Sequence, residues 1–310
     1  MLFRSSAAHT YGKPIVSAEA FTSVLKFEST PWSLKRRGDW ALCEGINHWV
    51  LHVYIHQPWE DRLPGVNAWF STEFNRHNTW FDQGRAWIDY YRRAHFLLQQ
   101  GEHVADVAYF IGEDTPKMTG ARRPELPPGH DFDYINAEVI EGRLRAEGGR
   151  LVLPGGKSYR ILVLPDLDTM RPAVLRKIRD LAAGGGAILG PPPSRSPSMQ
   201  GYPDCDTEVR RLAEELWSGL DGKLTTRRAF GKGTVFRGTD LRTALDTLGA
   251  GPDVAGIDPA PILWTHRASN SADIYFLCNQ SDRAVTRVAE FRAPGKAPEF
   301  WDAVTGRITH

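Results

Sequence analysis

Residues 48–59, HWVLHVYIHQPW, constrain this chain more than any other stretch. Val50, Leu51, Val53, Tyr54 and Ile55 form an almost unbroken apolar run that stops at His56-Gln57 before Pro58. A strand without polar alternation is covered on both faces, as in a parallel sheet or barrel, and a proline marks its limit. Residues 15–22 (IVSAEAFT) read as a second short buried strand, entered through Gly12-Lys13-Pro14. Between the two, residues 31–45 carry helix punctuation: Ser29 or Thr30 as N-cap, Pro31 in the first turn and Gly45 past the end. After a Trp- and Asn-containing loop over 57–80, residues 81–100 place Trp87, Tyr90 or Tyr91, Ala94 and Leu97 or Leu98 at helical spacing and stop at Gly101. The order strand, helix, strand, helix implies a parallel sheet. Only two such units are present, where a (β/α)₈ barrel needs eight.

The rest of the chain divides by pattern. Residues 104–112 (VADVAYFIG) read as a strand, 115–130 as a Pro/Gly-rich connector and 133–142 as a helix. Strands follow at 150–154 and 159–166, a helix at 171–184, a strand at 186–190 and then a Pro/Ser-rich break that places Cys205 in a loop. That alternation predicts a flavodoxin-like α/β domain over 101–222, ordinary in size. From 223 to 310 short strands with period-two alternation predict a β-sandwich cut before its end. The fold class is therefore α/β, with residues 1–100 as strand–helix units of a barrel ahead of the other two domains.

Composition narrows function by exclusion. Lys and Arg number 38 against 37 Asp and Glu, so no basic stripe points to nucleic acid or an anionic membrane. The first residues contain no apolar leader core, and no run of about 18 apolar residues predicts a bilayer span. Cys43, Cys205 and Cys278 are far apart without CxxC spacing, which excludes a disulfide scaffold or a thiolate zinc site as read from sequence. The ten Trp are concentrated between Trp32 and Trp87, and aromatic faces suit the apolar faces of pyranose rings as well as they suit a core.

Glu19 ends the first strand, on the barrel face where catalytic groups gather. Glycoside hydrolysis needs one carboxylic acid for the leaving oxygen and one carboxylate for water or carbon, which is the residue type found there. Glu44 falls at the helix end and so on the opposite face, which marks it as structural. His56, Gln57 and Trp59 cluster at the tip of the second strand and offer a ring nitrogen, an amide and an indole for hydroxyl recognition and stacking. His52 reads as a core histidine. Gly184-Gly185-Gly186 follows a helix and reads as its C-terminal turn, and the α/β domain carries no nucleophile elbow or phosphate loop.

Taken in order, SAAHTYGKPIVSAEAFTS, LKRRGDWALCEGINHWVLHVYIHQPW, the TW-rich loop and YYRRAHFLLQQGEHVADVAYFIGE resemble consecutive segments of the family 106 α-L-rhamnosidases. The resemblance implies that this chain supplies the last two strand–helix units of the catalytic barrel. It further implies hydrolysis of terminal α-L-rhamnosides with inversion, rhamnose-containing glycans as partners and Glu19 as the seventh-strand carboxylate. The partner carboxylate would come from an earlier strand absent here, so this chain alone is expected to be inactive. It implies substrate contacts at His56, Gln57 and Trp59, with Phe21, Asn78 and Trp80 beside them, and a calcium ion near the sugar with no assignable ligand set. A periplasmic or secreted full-length form and a homo-oligomer are further expectations. Two other readings stay open: a retaining β-galactosidase-type barrel hydrolase, and a non-catalytic carbohydrate-binding or oligomerisation module.

Overall fold

The computed structural model describes residues 2–114 and 122–310, so positions 115–121 of the Pro/Gly-rich connector lie outside the described residues. Helix α1 (Leu2–Tyr11) precedes strand β1 (Ser17–Ala20), helix α2 (Pro31–Cys43), strand β2 (His48–Leu51) and helix α3 (Arg85–Leu98). β1 and β2 pair in parallel, with Glu19 opposite Val50. α2 begins where its punctuation predicts: the Thr30 side chain accepts from Ser33 N, and the Ser33 hydroxyl accepts from Thr30 N, a complete capping box. Thr30→Ala removes one half of that reciprocal pair and is expected to lower stability by about 1 kcal/mol in denaturant unfolding. Gly45, at φ +87, makes the turn out of the helix. Mid-helix Gly38 lets α3 approach, because a Cβ there would collide with the Tyr91 hydroxyl, which donates to Lys35 O at 3.1 Å.

α3 turns Trp87, Tyr90, Tyr91, Ala94 and Leu98 inward, where they meet Leu34, Leu42 and Phe74 in one core. Of the Trp-rich region, Trp87 lies in this core with Trp49 and Trp80 half-buried against it, while Trp32, Trp59 and Trp69 are exposed. β2 is shorter than the apolar run predicts. Beyond Leu51 the backbone leaves the ladder with β1 and exchanges bonds with residues 72–74: Val53 N donates to Thr72 O at 2.8 Å and Phe74 N to Val53 O at 2.9 Å.

The two-residue strand β3 (Glu102–His103) leads into β4 (Val107–Phe110), β5 (Phe132–Ile135) and helix α4 (Ala137–Gly142). The helix expected over 133–142 is thus half strand. Phe132, Tyr134 and Ile135 are buried on the sheet, and Asn136 restarts the chain as an N-cap accepting from Val139 N at 2.9 Å. A small antiparallel meander follows, β6 (Arg145–Glu147), β7 (Arg150–Val152) and β8 (Ser158–Tyr159), and then β9 (Ile161–Val163), α5 (Pro172–Ala183) and β10 (Ala187–Leu189). The Pro/Ser break is short, because α6 (Asp204–Trp217) buries Val209, Leu212, Ala213, Leu216 and Trp217 at helical spacing. Cys205 sits in its first turn, buried, instead of in a loop.

β11 (Arg227–Phe230) and β12 (Gly233–Phe236) close this unit, and helix α7 (Leu241–Thr247) packs beside it. The six-stranded sheet runs β11-β12-β10-β9-β4-β5, parallel except for β11. Counted by appearance, its parallel strands follow 2-1-3-4-5, the flavodoxin-like order. The expected boundary at 222 therefore falls inside the sheet. Val235 and Phe236 are fully buried between layers, and their parallel pairing with β10 draws the β11–β12 hairpin into the α/β sheet instead of a β-sandwich.

Beyond that sheet lie β13 (Val254–Ala255), the hairpin β14 (Ile262–Ala268) and β15 (Asp273–Asn279), β16 (Glu290–Phe291), β17 (Phe300–Trp301) and β18 (Ile308–Thr309). Among the described residues they form small separate sheets, and the largest, β15-β14-β3, borrows a strand from residues 102–103. Phe276 and Ala303 pack on the α2–α3 core, and Arg93 Nη1 donates to Ala303 O at 2.9 Å. On the other side Arg292 reaches Asp106 at 3.0 Å, and His266 lies between Asp253 (2.7 Å) and Asp273 (2.9 Å). No helix among the described residues is long and apolar enough to cross a membrane.

Candidate functional site

Three backbone segments converge at the C-terminal ends of β1 and β2. His52 N donates to Ala20 O at 3.1 Å, and the Thr72 hydroxyl donates to Phe21 O at 2.7 Å. Glu19 stands at this junction, exposed, and its carboxylate accepts from the Thr22 hydroxyl. A carboxylate at the end of a parallel strand, open to solvent and oriented by one short side chain, can accept a proton from a water held above it.

The other sequence-derived candidates separate into two groups. His56 and Trp59 are exposed, and the Arg62 guanidinium lies 4.4 Å from the centre of the Trp59 ring. Gln57 is buried, and its amide staples the loop: Oε1 accepts from Val66 N at 2.8 Å while Nε2 donates to Ile55 O and Val66 O. The Phe21 ring lies in the aromatic core, with Trp87 at 5.2 Å and Trp49 at 5.7 Å. Trp80 is half-buried, donating to Ser29 O at 2.8 Å with its edge on Phe74. Asn78 is buried, its Nδ2 donating to Glu73 O and its Oδ1 without a partner among the described residues.

The residue that sequence reasoning missed is Glu73. It is fully buried, and its carboxylate accepts from Ser71 Oγ at 2.9 Å, Asn75 Nδ2 at 3.1 Å and Ala68 N at 3.2 Å. Three donors around one carboxylate balance its desolvation and fix the loop that carries Thr72. The Ser, Asn and Asn at 71, 75 and 78 were the available signal. Arg76 holds the opposite wall, donating to Gln57 O at 2.7 Å and to Glu60 at 3.0 Å. Tyr54 and Trp69 are exposed, and His52 stacks on Phe70 with its Nδ1 without a partner among the described residues.

Glu44 caps α2 at the far end, where Ser5 Oγ donates to its carbonyl, and burial followed by the charge of Asp131 raises its pKa.

Among the described residues one group has metal-ligand chemistry: His9, His103 and Asp133, all buried, with ligand atoms within 4.8 Å of one another. It does not fit calcium, which takes six to eight oxygens. The Lys157 ammonium already stands 2.8 Å from Asp133 and 3.2 Å from His103 Nδ1. Tyr159 donates to Asp133 at 3.0 Å, and His9 Nδ1–H donates to it at 2.8 Å. This is a buried ion-pair network joining α1 to the six-stranded sheet. Burial, followed by the charge of His103, lowers the His9 pKa to about 3. An unfolded chain protonates that ring near pH 6.5 and the folded chain only near 3. Stability is therefore expected to fall as pH drops from 6.5 toward 3. Melting curves across that range should show a steeper acid slope for the wild type than for His9→Gln.

Glycoside hydrolases place carboxylates at the C-terminal ends of parallel barrel strands, as Glu19 is placed here. The chain belongs to glycoside hydrolase family 106, the alpha-L-rhamnosidases, whose model matches residues 3–310. It is 38% identical over 308 residues to a Formosa agariphila protein provisionally named a beta-glucuronidase, covering 99% of this chain and 25% of that one. The solved rhamnosidase of Novosphingobium sp. PP1Y superposes with a TM-score of 0.90 at 35% identity, over 98% of this chain and 29% of that chain. A beta-galactosidase from Bacillus circulans sp. alkalophilus shares the fold alone, with a TM-score of 0.57, 11% identity and coverage of 98% and 55%. The chain thus spans little more than a quarter of the two nearer relatives' length.

Proposed function

We propose that this chain is the C-terminal part of a catalytic unit that hydrolyses terminal α-L-rhamnosides with inversion, and that Glu19 acts as general base. The observation that carries the reading is the exposed carboxylate at the end of the parallel strand β1, with an exposed imidazole and indole, His56 and Trp59, on the segment that follows β2. Membership of the rhamnosidase family supports the substrate class. In an inverting enzyme the base removes a proton from water while an acid about 6.5–9.5 Å away protonates the leaving oxygen. This chain supplies the first group, and the second comes from the portion of the longer relatives that it does not span. Trp59 offers a face for the sugar, His56 a ring nitrogen for a hydroxyl, and Gln57, Glu73 and Arg76 hold the loops in place.

The test compares this chain with a form extended upstream to the length of the rhamnosidase relative, assayed on p-nitrophenyl α-L-rhamnoside and p-nitrophenyl β-D-glucuronide. The reading expects activity from the extended form on the rhamnoside alone and none from the short chain. Activity on the glucuronide alone would assign the substrate class suggested by the Formosa relative's name. First release of β-L-rhamnose by NMR would mark inversion, and first release of the α anomer the retaining route.

A further inference from the structure

Cys43 and Cys278 are 235 positions apart in sequence, yet their sulfurs lie 3.6 Å from each other. Cys43 is the last residue of α2, the helix that follows the Glu19 strand, and Cys278 lies in β15 opposite Leu263. We infer that the two thiols are a redox-active pair that a hydroperoxide converts to a disulfide, fastening the C-terminal hairpin to the barrel helices. A disulfide needs its sulfurs at about 2.05 Å, so each has to move by only about 0.8 Å, within the reach of a small side-chain rotation.

The two sulfurs are not equivalent. Cys278 Sγ shares a proton with Cys43 and accepts from the Gln280 amide at 3.3 Å, and these contacts lower its pKa against burial, while the contact with Cys278 and then burial raise that of Cys43. The Gln280 amide that donates to the Cys278 sulfur stabilises a thiolate there, which makes Cys278 the nucleophile. Its thiolate attacks one peroxide oxygen, the O–O bond breaks, and sulfenic acid and hydroxide result. The Cys43 sulfur then displaces hydroxide from the Cys278 sulfur, and the Cys43 proton leaves as water. Overall, two thiols and one hydrogen peroxide give one disulfide and two waters. Cys43 is half-buried, which gives a small oxidant a way in. Cys205 is an internal control: it is buried in α6, its nearest sulfur contacts are the Ser198 carbonyl and Asp206 at 3.9 Å, and it has no resolving thiol.

The experiment treats the reduced full chain with equimolar hydrogen peroxide, alkylates the remaining thiols and maps peptides without reduction. The expected result is a Cys43–Cys278 linked pair lighter by about 2 Da, with Cys205 still alkylated. The oxidised protein should also melt several degrees higher than the same sample after dithiothreitol, a shift absent from Cys43→Ser and Cys278→Ser and retained by Cys205→Ser. Because the comparison is made within one wild-type sample, a folding defect in either variant does not obscure it. Recovery of Cys278 as sulfinic acid without a linked peptide would overturn the inference, as would linkage through Cys205 or a linked pair that melts no higher.

Discussion

Glu19→Gln, made in a form long enough to complete the barrel, is expected to lower kcat on p-nitrophenyl α-L-rhamnoside at least about a hundredfold, as removal of a general base does. KM should change little, because glutamine keeps the shape and the hydrogen bond from Thr22 and loses only the ability to accept a proton. The split separates chemistry from binding: an interaction used only in the transition state lowers kcat and kcat/KM together. Trp59→Ala should behave oppositely, raising KM while the fold persists, since that ring is exposed and lies under the Arg62 guanidinium. Unchanged turnover in Glu19→Gln would remove Glu19 from the mechanism whatever the substrate.

Asp133→Ala is expected to be the most destabilising single change, at about 3–5 kcal/mol, the range found when one partner of a buried ion pair is deleted. The Asp133 carboxylate is almost wholly buried. Burial opposes its ionisation, but the charge of Lys157 and the hydrogen bonds from His9 and His103 outweigh it and hold its pKa well below the usual range. Without it, the Lys157 ammonium, itself only 3% exposed, faces no opposite charge at that position. Tyr159 and His9 lose their acceptor at the same time. Denaturant unfolding measures the loss, and a value under about 1 kcal/mol would show that water or another carboxylate satisfies Lys157. The double variant Asp133→Ala with Lys157→Met should recover part of it, because the buried charge goes with its partner.

Local punctuation was legible where residues fix their own backbone. Pro31, an N-cap at Ser29 or Thr30 and Gly45 marked α2 to within a residue or two, and the spacing of Trp87, Tyr90 or Tyr91, Ala94 and Leu97 or Leu98 marked α3. What could not be read depends on partners distant in the chain. Residues 227–236 read as part of a β-sandwich until the fully buried Val235 and Phe236 are matched with β10, some fifty positions earlier. Asp133 looks like the start of a helix until Lys157 and His9 reach it. In the site, the place of Glu19 at a strand end was legible because a strand declares its polarity. The roles of Gln57 and Glu73 were not, since a glutamine that bonds its own loop and one that bonds a ligand have the same sequence context.

The two residues of β3 obtain their antiparallel partners only from Arg267 and Ala268. On a translating ribosome the whole α/β unit is made before those partners exist. At roughly 5–20 residues per second, β3 waits on the order of ten to thirty seconds with an open edge. During that interval α3 is tethered to the α/β sheet by a bare linker, and Arg93 and the α2–α3 core lack the contacts that residues 276 and 303 bring. A nascent-chain pause or a stop codon between residues 250 and 265 would therefore leave a folded six-stranded sheet joined to the strand–helix units through α1 and the linker after α3 but without the C-terminal clamp, a target for proteases and for chaperones that recognise unpaired strand edges.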